Sequence, residues 1–93
     1  MVSTAPTGPQ FLAEQLERLL AMPLETTDDV LSWRREADTV QSACDRFPGF
    51  EFPHHIWHYF LDADVRHRDF EYREYQEKQI RDYIADVRAT PTI

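Results

Sequence analysis

Ninety-three residues with 17 acids, 10 bases and a formal charge of −7 suit one domain with a modest core. An apolar fraction of 42% argues against disorder through the body of the chain, and only two glycines argue against a turn-rich β fold. Both halves are acidic and Lys78 is the only lysine, so the clustered cations that nucleic-acid binding requires are missing.

Residues 1–8 read as a flexible tail. A first helix is expected over about 9–22, with Pro9 in its first turn and Thr7 and Gln10 at capping-box spacing. Phe11, Leu12, Leu16, Leu19 and Leu20 form its apolar face, and Pro23 ends it. A second helix spans about 27–47. Thr26 or Thr27 caps it, and Asp28 and Asp29 oppose the helix dipole in its first turn. Val30, Trp33, Ala37, Val40, Cys44 and Phe47 alternate by three and four, the cleanest periodicity in the chain. Pro48-Gly49 closes this helix.

A third helix is expected over about 53–66, with Ile56, Trp57, Phe60 and Leu61 facing the core. Residues 62–89 are also helix-compatible, with Val65, Tyr72, Gln76, Ile80, Tyr83, Ile84 and Val87 on one face, and a fourth helix covers about 69–89. As one helix, residues 54–89 would run about 50 Å, too long for a domain of this size. The two stripes also differ by about 150° at 100° per residue. A break near His67–Asp69 resolves both conflicts, with Asp69 as the next cap. The pairs Asp62–Arg66, Asp64–Arg68, Glu74–Lys78 and Glu77–Arg81 have the spacing of supporting ion pairs. Residues 90–93 form a C-terminal tail. The fold expected is all-α, a single bundle of three to four helices.

Nine of the twelve aromatic residues and all four histidines fall between Phe47 and Tyr75. His54, His58 and Asp62 recur every four residues along one helix edge. Two histidines at i and i+4 can hold one metal ion, such as zinc, from a single face. Asp62 lies about 12 Å along the axis from His54, so a third ligand has to come from another helix, with His67, Cys44 or an acid as sources. The bland alternative is a boundary stripe in which His58 pairs with Asp62. The segment reads HHxxH rather than HExxH, and no Glu-x-x-His element points to a di-metal bundle.

No serine or threonine stands in a nucleophile motif. Cys44 falls on the apolar seam of the second helix, where cysteine is usually inert. No phosphate loop or dinucleotide fingerprint occurs. The chain is therefore read as non-enzymatic and without a cofactor, the metal reading apart. Five aromatics have no core assignment: Phe50, Phe52, Tyr59, Phe70 and Tyr75. Aromatics of this kind anchor protein interfaces. The function expected is a small acidic interaction module of regulatory, adaptor or inhibitor type, contacting a basic protein partner or a second copy of itself. A histidine-dependent pH switch is a third reading. A lone cysteine, no apolar run of membrane-spanning length, and an N-terminus without the pattern of a secretory signal point to the cytoplasm.

Overall fold

The structure, a computed structural model, describes residues 7–89. The expected tails lie outside these residues except for Thr7 and Gly8, which are the cap and first residue of α1. The described residues form helices and connections with no strand, as the all-α reading requires.

Helix α1 runs Gly8–Leu20. Its start is the expected capping box: the Thr7 hydroxyl accepts from the Gln10 amide, and the Gln10 side chain accepts from the Thr7 amide. The helix stops at Leu20, short of Pro23. Helix α2 runs Thr27–Ala43 and repeats the device with Thr26 and Asp29. The Asp29 carboxylate accepts from the main-chain amide of Thr26 and, with a smaller effect, from that of Glu25, which holds its pKa below the usual carboxylate range. The α-helical part ends at Ala43, four residues early, and a 3-10 turn covers Cys44–Arg46. Gly49, at φ +80°, then turns the chain in the left-handed region that glycine tolerates.

The expected third helix is two helices. Helix α3 runs His54–Leu61, and α4 runs Ala63–Arg68. Asp62 separates them at φ −101° and ψ 21°. Helix α5 runs Phe70–Ala89. The break expected near His67–Asp69 is present: Asp69 is extended, and its carboxylate accepts from the Tyr72 amide.

The core lies where all five helices converge, α4 contributing Ala63. Leu12, Leu16 and Leu19 meet Val30, Trp33, Ala37 and Val40, then Ile56, Tyr59, Phe60, Ala63, Ile80 and Ile84. α1 packs most extensively against α5. The Trp33 indole donates to the Leu19 carbonyl at 3.1 Å, so its one polar atom is satisfied inside the core. Cys44 is buried on the same seam, and burial pushes its thiol pKa up. Surface pairs such as Arg88–Glu17 at 2.6 Å and Arg18–Glu36 at 2.7 Å tie neighbouring helices together, each contributing little on its own.

Candidate functional site: the outer face of the third helix

Eight residues of α3 carry two faces. Ile56, Tyr59 and Phe60 turn inward and are buried. His54, Trp57, His58 and Leu61 follow the i, i+3, i+4, i+7 rule on the other side, about 150° round the axis. All four are exposed, Trp57 by 41% and Leu61 by 64%. The sequence reading placed Trp57 and Leu61 in the core and Tyr59 on the surface. The structure reverses both assignments. Tyr59 is only 1% exposed, because its ring meets Trp33 edge-on at 5.0 Å. Trp33 is fixed by α2 and selects which face of α3 is buried.

The other expected surface aromatics divide. Phe70 and Tyr75 are exposed by 68% and 60%. Phe50 and Phe52 are half-buried and pack on the core margin. Phe50 lies over Gly8, where an added Cβ would come within 2.8 Å of its ring. Phe52 meets Phe60 edge-on at 5.4 Å and Trp57 at 4.9 Å.

The two candidate metal ligands are together. Nε2 of His54 and Nε2 of His58 are 2.9 Å apart, with the rings edge-on. At that separation one ring donates its proton to the other. A pocket of about 270 Å³ adjoins them, with Tyr75, Tyr72 and Gln79 on its far side. Among the described residues, no group of three or more His, Cys, Asp and Glu side chains is placed to hold a metal ion. His67 turns toward the α1–α2 connection, where its Nδ1 contacts the Leu24 carbonyl at 2.8 Å.

Asp62 does not pair with His58. Its carboxylate accepts from the Tyr72 hydroxyl at 2.6 Å and from the Gln76 amide at 3.0 Å. The bond to Asp62 needs the protonated phenol and pushes the Tyr72 pKa up to about 12. Gln76, itself buried, passes the network inward: its carbonyl accepts from Arg66 Nη1 at 2.8 Å. Arg66 is the residue that the sequence reading missed. Read as the surface partner of Asp62, it is instead 1% exposed. Its guanidinium carbon lies 4.5 Å from the Trp33 ring centroid and 4.1 Å from that of Tyr59. The spacing Tyr59–Ala63–Arg66 continues the inward face past the Asp62 break and is the one signal in the sequence that marks it. Of the other expected pairs, Asp64–Arg68 at 3.8 Å and Glu77–Arg81 at 3.9 Å are present, while Lys78 turns to Asp82 at 2.8 Å.

No family model, no curated protein and no solved structure matches this chain.

Proposed function

We propose that this chain is a small acidic helical interaction module, non-enzymatic, that docks a protein partner on the outer face of α3. The observation that carries this reading is the exposed series His54, Trp57, His58 and Leu61, with Tyr75 across the adjoining pocket. A solvent-facing i, i+3, i+4, i+7 series is the pattern with which helices enter the grooves of partners. Trp and Tyr are preferred interface anchors. With a net charge of −7, the suitable partner carries an apolar groove with a basic rim. A second copy of this chain would bring like charge, so self-association is the less favoured form of the same contact. A cytoplasmic setting belongs to the proposal, supported by a single buried cysteine in no disulfide. No helix of the described residues is long and apolar enough to cross a membrane.

The test is the triple variant Trp57→Gln, Leu61→Gln, Tyr75→Gln, with folding checked by circular dichroism. The expected result is loss of partner capture, or of self-association in sedimentation equilibrium. A folded variant that assembles like the wild type overturns the reading.

The His54–His58 pair supports a second reading, a metal-binding protein. Two nitrogens on one tetrahedral zinc, each at about 2.0–2.1 Å, stand about 3.3 Å apart. The two Nε2 atoms at 2.9 Å reach that spacing by a small rotation of the rings. Water or a partner side chain would complete the site. Titration with Zn²⁺ while following the histidine ring resonances decides it: shifts confined to His54 and His58 at micromolar metal are expected, and their absence removes this reading.

A further inference from the structure

Beside the α3 face lies a second pocket, of about 600 Å³, between the C-terminal end of α2 and the connection over residues 47–53. Its aromatic wall is well defined. Phe50 and Phe52 meet edge-on at 5.6 Å, and Phe52 meets Trp57 edge-on at 4.9 Å. The charged side chains on its lining are Asp45 and Glu51, both exposed, and no Lys, Arg or His lines it. The last turn of α2 carries no basic side chain either. Arg46, next in sequence to Asp45, is engaged elsewhere, 4.3 Å over Phe11 and 5.2 Å over Phe47.

Aromatic rings and carboxylates both favour a cation. We propose that this pocket receives an arginine or lysine side chain from a basic segment of a protein partner. The assignment rests on the interaction-module reading and names the partner's chemistry. Trp57 belongs to both surfaces, so a segment with its cation in the pocket continues directly over His54 to Leu61. The volume accommodates such a side chain with its flanking backbone.

The experiment uses the full chain and three probes followed by ¹H–¹⁵N NMR: capped Gly-Arg-Gly, its neutral citrulline counterpart, and tetramethylammonium. The arginine peptide is expected to shift the Trp57 indole and the main-chain amides of Phe50 to Phe52. It should bind about fivefold or more tightly than the citrulline peptide, the scale of one partly desolvated cation–π contact. The double variant Asp45→Asn, Glu51→Gln leaves the α3 face intact and should reduce that preference to near unity. Equal binding of the arginine and citrulline peptides overturns the assignment, as do shifts confined to the acids of α5. Tighter binding of tetramethylammonium than of the arginine peptide also overturns it, in favour of a free small cation. Failure of the two proposals is separable. If the cation preference appears but a Leu61→Gln, Tyr75→Gln variant assembles normally, the docking face is wrong and the pocket stands. If that variant loses assembly and the citrulline peptide binds equally, the pocket is wrong and the face stands.

Discussion

Nη1 of Arg66 donates a 2.7 Å hydrogen bond to the main-chain carbonyl of Tyr59. Tyr59 lies in the last turn of α3, where carbonyls run out of helical partners, and a side chain from α4 supplies the donor. The same nitrogen donates to Gln76 on α5, while the guanidinium meets the rings of Trp33 on α2 and Tyr59. One residue thus joins four helices. Nε and Nη2 of Arg66 are buried without hydrogen-bond partners, and burial lowers its pKa. The aromatic faces offset part of that desolvation.

Two substitutions separate packing from charge at this position. Arg66→Ala empties the space beside Trp33 and Tyr59 and should destabilise the fold by about 2–5 kcal/mol, the range for large-to-small changes in cores. Arg66→Met fills much of that space but leaves the Tyr59 carbonyl and the Gln76 carbonyl without the guanidinium donor, so it should cost about 1–3 kcal/mol, less than alanine. Urea denaturation of both variants checks this. A methionine variant as unstable as the alanine one would show that the hydrogen bonds and charge of the guanidinium, rather than its bulk, hold the core together.

Tyr72 predicts an alkaline limit. Its hydroxyl donates to Asp62, and its pKa is raised to about 12 from about 10 in the unfolded chain. A raised folded-state pKa means that the folded state holds its proton more tightly. The stabilisation is present in full below about pH 10 and is lost as pH rises through about 12. Tyr72→Phe removes this contribution, so its urea midpoint should fall less steeply than the wild type's from about pH 10 upward. Parallel profiles for the two proteins would assign the alkaline slope to another group, such as Tyr59, whose pKa burial also raises.

Gly8 and Gly49 should respond differently to alanine. At Gly8 the new Cβ meets the Phe50 ring at 2.8 Å, which forces the ring away. Overpacking of this kind costs about 1–3 kcal/mol, and the Phe50 and Phe52 ring resonances should move with it. Gly49→Ala has open space but must hold φ at +80°, a backbone cost of about 1–2 kcal/mol. Its aromatic resonances should stay in place. Unmoved Phe50 resonances in Gly8→Ala would contradict the packing described.

The two tryptophans provide an optical check. Trp33 is buried and Trp57 is exposed. Acrylamide should quench mainly Trp57, and Trp57→Phe should leave a blue-shifted emission that is poorly quenched. Trp33→Phe removes the indole donor to the Leu19 carbonyl, which keeps the Met22 amide at 3.1 Å, and empties the space of one buried ring, at a cost of about 1–3 kcal/mol. Equal quenching of the two single-tryptophan variants would mean that α3 is turned the other way.

The caps and seams of this fold were legible because they depend on neighbours in sequence. The Thr7–Gln10 box, and a threonine cap at 26 or 27, are decided within one helical turn. The seam from Val30 to Cys44 follows a single period, and the two end stripes of residues 56–61 and 65–87 differ enough to force a break. The faces of α3 were not legible. Ile56-Trp57-Phe60-Leu61 and Ile56-Tyr59-Phe60-Ala63 are both acceptable helical stripes, and hydrophobicity favours the first. The second is chosen by Trp33, 26 residues earlier in the chain, and by the fit of Arg66 beside it. Arg66 was hidden for a related reason. Arginine is seldom buried, and its partners here are two rings, one main-chain carbonyl and a glutamine, none of which forms a charge pattern that spacing reveals. The His54–His58 contact was half legible: the i, i+4 spacing brings the rings together, but only the folded chain shows Asp62 committed to Tyr72 and Gln76.

A helix with apolar residues on both sides normally belongs to the middle of a protein. In α3 that composition occurs at the boundary, with packed helices on one side and water on the other. Apart from Asp62 and Asp64 just beyond its end, α3 has no acid or base other than histidine, so nothing on it keeps a third layer away. A layer laid over its outer face would take no carboxylate, lysine or arginine of α3 out of water.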